Sequence, residues 1–397
     1  NVTFIDSRIS TNSDVDGAYS LDTYYPTDSI KASSVGYRTF TARVKRDVAQ
    51  VIDVRMRPST GKLEEVVVTH TENPAFALMR RLIANKRVNN REKLEAYQSA
   101  AYPPIEFDLN NITKDFEKLK IFKDFSFIFD HVDTTGGKPY LPIFMTETLS
   151  DVYYRQHPKA RRELIHGTKV SGLENKSVSQ FLGDMYQNVN IYDNFLVIFG
   201  KNFVSPVADG GRGYYKYYLV DSNWVGRNWC YKILFSPKRV QELAFSGSMW
   251  VADTSYAVRS IEATIAPGAN LNFVQGFQVK QEYREVKKEV WMLTKDELVV
   301  DLNAVHDTGK NKHPLQGFYG RRTATYRDFV INEPKPPEFY KGADEVVMDI
   351  DPLSLGADYW DQHRHENLTA QEQELYKMVD TIQTIPLFRT YGDIVSS

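Results

Sequence analysis

Cysteine is almost absent from this sequence: Cys230 is the only one among 397 residues. A lone thiol excludes a disulfide within the chain and any metal site built from several thiolates. Low cysteine content fits the cytosol, and it equally fits bacterial envelope proteins that rely on core size for stability. The sequence therefore predicts a fold that its apolar cores hold together.

Long apolar runs and an excess of charge are also missing. No stretch of about eighteen apolar residues occurs, so we expect no segment to span a membrane as a helix. The formal net charge of −2 gives no indication of a general affinity for nucleic acid. No signal peptide is visible, and Asn1-Val2-Thr3-Phe4 resembles the inside of a strand, so we expect a fragment that is silent about its targeting.

Aromatic residues, in contrast, are abundant. They make up 13% of the chain, and 24 Tyr stand against 5 Trp. Tyr suits strands because its ring packs on a pleated surface while its hydroxyl group reaches water. Together with many short turn-bounded segments, this composition predicts a mainly β protein of the α+β class with a few helices.

Residues 1–70 consist of short strand-like segments that turn signals separate. The predicted strands are Tyr19–Leu21, Ser29–Ser33, Thr39–Val44 and Val48–Met56. Short strands at this spacing are typical of a small β-sandwich.

Residues 71–331 begin with helical signals and continue with strands. Asn73 and Pro74 are expected to cap and start a helix, and a second helix is expected after Ser177. The predicted strands are Tyr214–Val220, Trp229–Phe235, Gln241–Val251, Ala257–Ile265, Phe277–Val286, Val290–Leu293, Glu297–Val305 and Thr323–Ile331. A large antiparallel sheet twists and curls, so we predict a curved, half-barrel-like sheet with helices on its concave face.

Residues 332–397 change in character. Asn332–Pro337 is rich in proline and is predicted to be a stiff linker. Thr369-Ala370-Gln371-Glu372 matches a capping box, which predicts a C-terminal helix to about Ile382.

The hollow of the predicted sheet is the candidate binding site. The residues expected to line an apolar cavity there are Phe181, Met185, Tyr231, Ile233, Phe235, Phe245, Trp250 and Phe273. The alternative is that these residues are packed core, which is the commoner outcome for apolar stripes.

Metal and cofactor sites are not predicted. Asn12–Gly17 resembles the opening of a calcium loop, but Thr23 stands where such a loop needs a bidentate Glu, so a hairpin turn is favoured. His363 and His365 could ligate a metal from a strand, but no second cluster accompanies them. We therefore expect no metal and no cofactor.

Catalytic residues are not predicted either. Ser205 lacks the Gly-x-Ser-x-Gly elbow, and Asp349 and Asp351 fall in an exposed acidic turn. Asp209–Gly213 has glycines without the Lys-Ser/Thr of a P-loop and is expected to form a flexible hairpin. Lys159, Arg161 and Arg162 form a small basic patch that favours a solvated face. The chain is therefore expected not to be an enzyme.

The first seventy residues resemble a known module. Asp14–Leu21, Ser33–Arg38 and Leu63–Val68 match the turn, the "xxVGY" strand and the exit segment of the carboxypeptidase regulatory-like sandwich. This domain, which is transthyretin-like, precedes many Bacteroidota outer-membrane receptors. The resemblance implies a sandwich whose first strand is missing.

From about Asn73 the chain resembles the Bacteroidota family of unknown function DUF5686. The segments that carry the resemblance are Leu141–Phe144, Glu147–Ser150, Lys169–Gly172, Asn190–Phe195, Phe203–Pro206 and Tyr215–Leu219. The family implies a periplasmic location in front of a C-terminal outer-membrane β-barrel, and this chain stops at Ser397 before any such barrel. The resemblance implies a location rather than a function.

The central strands also resemble the half-barrels of lipoprotein carriers. Cys230–Pro237, Phe245–Val251 and Tyr256–Ile261 are similar to their strand succession. Such folds hold acyl chains in a curved sheet that helices close.

These observations predict a non-catalytic binding or assembly portion of an outer-membrane protein, on its periplasmic face. The expected partners are outer-membrane proteins or a complex of them, and lipid or lipoprotein, with no nucleic acid. One alternative is a glycan-binding module, for which Tyr24-Tyr25 is the only dense aromatic pair in residues 1–70. Another is a purely structural part of an outer-membrane complex.

Overall fold

The computed structural model divides the chain into two compact units. One unit comprises Asn1–Glu72 with Asn223–Arg227, and the other comprises Asn73–Ser222 with Asn228–Ser397. The described residues are 1–5, 9–13, 17–21, 28–34, 37–45, 48–57, 72–110, 140–172, 185, 189–266, 269, 271, 274–303, 317–342, 345–347, 355–368, 373, 376 and 377.

The first unit contains a small antiparallel sheet. Its strands are β1 (Val2–Phe4), β2 (Ser10–Thr11), β3 (Ser29–Ala32) and β4 (Phe40–Arg43). They lie in the order β2-β1-β3-β4. Val2 and Phe4 alternate with an outward residue and pack on Ile30 and Ala32, which gives this unit its own core. The predicted strands over Ser29–Ser33 and Thr39–Val44 are confirmed.

Two other predicted strands of this unit are wrong. Tyr19–Leu21 and Val48–Met56 belong to no strand in the described residues. The hydroxyl group of Tyr19 donates to the carbonyl of Ile52 at 2.7 Å, so a side chain makes the link that strand pairing would make. The sandwich architecture and the domain boundaries at residues 70 and 331 stay predictions.

The second unit is built on one large, curved, mainly antiparallel sheet. The strands of this sheet are β5 (Ala96–Tyr102), β6 (Ile105–Asn110), β7 (Tyr140–Arg155), β8 (Ala160–Gly172), β11 (Tyr215–Val225), β12 (Asn228–Pro237), β13 (Phe245–Ala252), β14 (Val258–Ile265), β15 (Val274–Lys287), β16 (Val290–Asn303), β17 (Gly317–Ile331) and β18 (Glu345–Val347). Two further strands, β9 (Phe195–Ile198) and β10 (Lys201–Val204), form a separate hairpin. The order is β11-β12-β13-β14-β15-β16-β17-β5-β7-β8-β18, and β6 pairs with β17 and β7. Only β18, which pairs with β8, is parallel among these described pairs.

The predicted meander is confirmed, with one correction. Strands β11 to β17 are neighbours in chain order, as the short polar turns indicate. Val290–Leu293 and Glu297–Val305 were expected to be separate strands, but β16 is continuous from Val290 to Asn303. A register shift opposite Glu282 and Tyr283 accommodates the polar interruption within one strand.

Strands β5 to β8 complete the sheet, although the sequence did not predict them. β5 pairs with β17 across a long stretch of chain, Tyr102 lying opposite Thr325. In β7 every residue from Phe144 to Ser150 is buried. A strand that is buried on both faces shows no alternation of apolar and polar residues, which is the pattern that identifies a strand in a sequence.

The helices are few. α1 (Pro74–Asn89) begins as predicted, because the Asn73 side chain accepts a hydrogen bond from the backbone N–H of Ala75 at 2.9 Å. Gly211–Tyr214 forms a single helical turn, α2, in place of the expected flexible hairpin. α3 (Ala357–His363) was not predicted, and the helices expected after Ser177 and from Thr369 to Ile382 fall largely outside the described residues. None of the described helices has the length and apolar character needed to cross a membrane.

Candidate functional site

The register of the large sheet defines two faces, because directly paired residues point to the same side. On the face that we call the inner face, Ile233 lies opposite Met249, and Met249 lies opposite Ile261. These three side chains are at most 1% exposed. The opposite, outer face carries charged pairs such as Lys280 and Glu297, whose side chains are 3.6 Å apart. The inner face is therefore the apolar one.

A cover segment, residues 189–210, packs on part of the inner face. Its centre is the hairpin of β9 and β10, which turns at Phe199-Gly200 with φ values of 46° and 72°. Positive φ at both positions is what a tight two-residue hairpin turn requires. Leu196 and Ile198 point inward and are buried, whereas Phe195 and Val197 are 56% and 61% exposed.

Contacts between the cover segment and the sheet are both apolar and polar. The ring of Phe203 lies 5.2 Å from that of Phe245 on β13. The Tyr192 hydroxyl group accepts a hydrogen bond from the Val258 N–H at 3.0 Å, and burial raises its pKa well above the usual range. The Gln281 side chain on β15 donates to the carbonyl of Val189 at 2.8 Å. The segment is thus tied to three different strands.

Helix α1 fixes the other side of the cover segment. The ammonium group of Lys86, a largely buried residue, lies 2.5 Å from Asn194 Oδ1 and 3.3 Å from Asp209 Oδ1. The Asn194 amide also donates to Asp209 at 3.1 Å. Hydrogen bonds from Asn194, and then the charge of Lys86, lower the pKa of Asp209, so this carboxylate stays ionised at neutral pH.

Three members of the predicted apolar set, Ile233, Phe235 and Phe245, share the inner face of β12 and β13, whereas Met185 lies at β17 beside Gly320. Met185, Ile233, Phe235 and Phe245 are buried, each at most 2% exposed. Tyr231 is partly buried and shares the inner face with Ile233, because both have odd positions on β12.

Trp250 lies on the outer face instead. It is paired with Lys232, whose ammonium group is 5.5 Å from its ring centroid. Its place follows from the alternation of β13, on which Met249 and Val251 point inward. Phe181 and Phe273 lie outside the described residues. The use of this set as a ligand cavity stays a prediction.

A buried polar network crosses the inner face where β15, β16 and β17 meet. Arg322 donates to Asp296 and, at 2.6 Å, to the carbonyl of Met185. The Gln281 amide donates to Asp296 at 3.0 Å and accepts from the Tyr283 hydroxyl group at 2.7 Å. Asp296 is 2% exposed, so its charge is stabilised by these donors rather than by water.

Beyond this network the inner face holds a small cavity of about 20 Å³. Its lining residues are Arg91, Tyr97, Ser99, Val152, Arg161, Met292, Leu293, Tyr326 and Phe329. A space of this size has room for one water-sized atom.

The outer face of β5, β7 and β8 is covered by the C-terminal part of the chain. Arg364 follows α3 and donates two hydrogen bonds, of 2.6 and 3.0 Å, to the carboxylate of Glu147 on β7. The Tyr102 hydroxyl group donates to the same carboxylate. Although burial by itself raises the pKa of Glu147, the hydrogen bonds from Arg364 and Tyr102 lower it below its usual value. This pair holds the C-terminal segment on the sheet.

Sequence reasoning singled out the two neighbours of Arg364 and missed Arg364 itself. His363 stacks on Tyr359 with ring centroids 4.1 Å apart, and His365 Nδ1 lies 2.8 Å from Thr325 Oγ1. Across the part of the chain that is described, three or more potential metal-ligating side chains do not come together. No local signal in the sequence links Arg364 to Glu147, which precedes it by more than two hundred positions.

Other residues weighed for chemistry have structural contacts. The Ser205 hydroxyl group donates to the carbonyl of Ile191 at 2.6 Å and accepts from the Val207 N–H at 3.2 Å, which fixes a turn of the cover segment. Asp349 and Asp351 lie outside the described residues, as do Asp14 and Asp16 of the calcium-like loop.

The model of one protein family, described as a family of unknown function (DUF5686), matches residues 78–312, more than half of the chain. The chain belongs to this family. The match includes the cover segment, Gln281 and Asp296 of the polar network and most of the sheet, but not Arg322 on β17. It does not reach residues 1–72, for which the resemblance to the carboxypeptidase regulatory-like sandwich stays a prediction, as does an origin in Bacteroidota.

Three solved structures are similar to this member of DUF5686, at low identity. A DUF1329 family protein from Desulfovibrio piger is 11% identical, covers 68% of this chain and 98% of its own, and has a TM-score of 0.28. A putative outer membrane lipoprotein-sorting protein domain from Vibrio parahaemolyticus is 9% identical, with coverages of 67% and 97% and a TM-score of 0.25. A LolA superfamily protein from Nitrosomonas europaea is 8% identical, with coverages of 68% and 97% and a TM-score of 0.23.

At these TM-scores the three likenesses carry no argument about this chain. No curated protein matches its sequence significantly. Any functional conclusion therefore depends on the family and on the residues of the site.

Proposed function

We propose that this DUF5686 protein is a non-catalytic binding module on the periplasmic face of the outer membrane, and that it holds lipid or the acyl chains of a lipoprotein against the inner face of its curved sheet. One observation carries the proposal. Over β13 to β15, the apolar inner face is covered by one short segment, whose only sheet is the two-stranded hairpin of β9 and β10.

A cover of this kind can be exchanged for a ligand at modest cost. Burial of a large apolar side chain contributes roughly 1.5–3 kcal/mol, and each buried CH₂ group of an acyl chain contributes roughly 0.8 kcal/mol. The side chains that the cover buries over the sheet include Leu196, Ile198 and Phe203. An acyl chain of ordinary length supplies comparable apolar contact, so it can replace them on the inner face.

The use of buried charges supports a non-catalytic role. Glu147 is bound by Arg364, and Asp296 is bound by Arg322. The first pair joins elements that are distant in sequence, the second joins the consecutive strands β16 and β17, and each carboxylate has its oxygen atoms occupied by donors. Groups committed in this way hold the fold together, which fits a module that binds rather than reacts.

The location and partners follow from the family resemblance. Relatives in DUF5686 are expected to precede an outer-membrane barrel, so the partners of this module would be outer-membrane proteins or a complex of them. Fractionation of cells that express the native protein would test this part, and recovery in the cytosol would contradict it.

Lipid extraction of the purified full chain, followed by mass spectrometry, tests the lipid part. We expect a bound lipid, and uptake of a fluorescent fatty acid that competes with it. Phe203→Ala removes a contact of the cover with Phe245 and should change the uptake at least severalfold. Val197→Ala, an exposed position on the same hairpin, is the matched control and should leave uptake unchanged. A protein that carries no lipid and takes up none would contradict the proposal.

A purely structural role in an outer-membrane complex is the second candidate. It is favoured by the dense packing of the inner face, where Ile233, Met249 and Phe245 are fully buried in the closed arrangement. This alternative predicts no lipid uptake by any variant, together with retention of the chain in an outer-membrane complex after detergent extraction.

A further inference from the structure

The small cavity on the inner face has walls of a particular chemistry. Its polar lining side chains are Arg91, Arg161, Tyr97, Tyr326 and Ser99. Each of these side chains offers N–H or O–H donors, and none of the described lining residues is acidic. A cavity lined by donors is complementary to a group that only accepts hydrogen bonds.

The sheet register explains how these residues meet. Tyr97 on β5 lies opposite Tyr154 on β7, and Tyr154 lies opposite Arg161 on β8, so all three share the inner face. Arg91 approaches from the short 3₁₀ turn Arg91–Lys93 that follows α1, where the Asn90 side chain accepts a hydrogen bond from the Glu92 N–H. With β16 and β17, which supply Met292, Leu293, Tyr326 and Phe329, six segments of the chain contribute to one site.

Electrostatics agree with this geometry. Burial, and to a smaller extent the negative charge of Asp296, raise the pKa of Tyr326, while the positive charges of Arg322, Arg91 and Arg161 oppose that rise. The Tyr326 hydroxyl group therefore stays protonated and remains a donor. Because Arg322 is paired with Asp296, the guanidinium groups whose field favours a negative charge at this place are those of Arg91 and Arg161.

Arg161 stands at the mouth of the cavity. Its side chain is 42% exposed and lies 3.3 Å from Glu163, whose side chain is 16% exposed and also accepts a hydrogen bond from the Ser150 hydroxyl group at 2.6 Å. Because Glu163 keeps its hydrogen bond from Ser150, the guanidinium group of Arg161 can turn towards a ligand. The apolar lining residues Val152, Met292, Leu293 and Phe329 offer contact to an alkyl group beside it.

We propose that this cavity is a binding site for a phosphate group. A volume of about 20 Å³ admits one oxygen atom, which Tyr326, Ser99 and Arg91 would contact, while Arg161 binds the other oxygens at the mouth. Phosphate fits this arrangement because one of its oxygens can enter the cavity while two others face the guanidinium group of Arg161, which binds phosphate in a bidentate way.

The source of the phosphate is a lipid headgroup or a free phosphate compound. The headgroup assignment rests on the proposed function, because the cavity lies on the same inner face that would hold the acyl chain. Phosphate binding by itself does not rest on it. The two claims can therefore fail separately.

The experiment uses the full chain with Arg161→Gln and with Arg239→Gln as a matched control. Arg239 is also an exposed arginine, 2.6 Å from a nearby glutamate, Glu242, and it does not line the cavity. Calorimetric titration with inorganic phosphate should give saturable binding to one site, at least about tenfold weaker in Arg161→Gln and unchanged in Arg239→Gln. Tyr326→Phe should weaken binding severalfold, and equal unfolding temperatures would show that all variants fold.

A second arm measures binding to phosphatidylcholine vesicles with and without phosphatidylglycerol. If phosphatidylglycerol binding falls in Arg161→Gln but not in Arg239→Gln, the site takes a lipid headgroup. If phosphate binds but vesicles do not, the site stands with a soluble ligand, and the lipid part of the proposed function fails. Absence of saturable phosphate binding, or equal loss in both arginine variants, would overturn the site even if vesicles still bind.

Discussion

Buried charge is concentrated in a few residues, and the pair of Glu147 and Arg364 joins parts of the chain that are far apart. Glu147 is fully buried, and Arg364 is 7% exposed. A carboxylate in that position is stable only because the guanidinium group meets it with two parallel hydrogen bonds. The interaction is weak evidence for net stability, but loss of one partner leaves the other buried and uncompensated.

Glu147→Gln should therefore destabilise the protein strongly. We expect a loss of about 3–5 kcal/mol in the free energy of unfolding, which is typical when one member of a buried ion pair is removed. Asp361→Asn is the control, because Asp361 also contacts Arg364, at 2.7 Å, but is 69% exposed and should contribute less than about 1 kcal/mol. Urea denaturation measures the free energy of unfolding of both variants. Equal losses in the two variants would show that the burial of Glu147 does not determine the size of the loss.

His365 should make stability depend on pH. Burial, and then the charge of Arg327, lower its pKa from 6.5 to about 4. Because the unfolded chain binds the proton more readily, the stability that His365 contributes is present above pH 6.5 and is lost as the pH falls from 6.5 towards 4. His365→Gln should flatten the decrease of the unfolding temperature in this window, whereas His363→Gln, at an exposed position, should leave it unchanged. An identical pH profile for all three proteins would refute the assignment.

At the scale of elements, strand pairing in the meander depends on one position where only glycine fits. A Cβ atom at Gly247 would lie 2.0 Å from the carbonyl oxygen of Glu262 on the neighbouring strand. That contact is with backbone, so a side chain cannot move aside to relieve it. At Gly276 the nearest atom, Cβ of Asp301, would be at 3.5 Å, an ordinary contact.

Gly247→Ala should consequently separate β13 from β14 locally. We expect a loss of about 1–3 kcal/mol or more, since inserted atoms in a packed region force the backbone to shift. Gly276→Ala is the matched control within a strand and should be neutral or slightly stabilising. Thermal unfolding with hydrogen exchange of β13 and β14 distinguishes the two, and a neutral Gly247→Ala would disprove the packing there.

The elements also differ in how far their sequences predict them. α1 is recognisable because Asn73, Pro74 and Lys86-Arg87 carry its start and end signals locally. The strands β12 to β15 are recognisable because apolar residues of the buried inner face alternate in their sequences with polar residues of the solvent-exposed outer face. β7 is not recognisable from its sequence, because Thr146, Glu147 and Thr148 are polar residues that are buried. Their burial is stable only when partners in other segments of the chain satisfy their polar groups.

At the scale of the whole molecule, the large sheet combines local and distant pairing. Strands β11 to β17 pair with their neighbours in the chain, whereas β17 pairs with β5 and β6, which precede it by about two hundred residues. Distant pairing has to overcome the entropy of closing a long loop, so it forms slowly.

We therefore expect the meander to gain protection before β5 to β8 join it. Pulsed hydrogen exchange during refolding should protect amides of β13 to β15 first and those of β5 and β7 in a later phase. The opposite order, or a single phase for all strands, would contradict this sequence of events.

The sequence by itself determined the local features: the cap of α1, the consecutive hairpins from β11 to β17, and the apolar character of Ile233, Phe235 and Phe245. These follow from propensities and alternation, which act between neighbours in the chain. Only the tertiary structure decided that β5 to β8 complete the sheet, that Arg364 binds Glu147, and that Arg91, Arg161 and Tyr326 line one cavity. Such contacts join residues whose separation along the chain leaves no local pattern, and a buried charge becomes favourable only when its distant partner is in place.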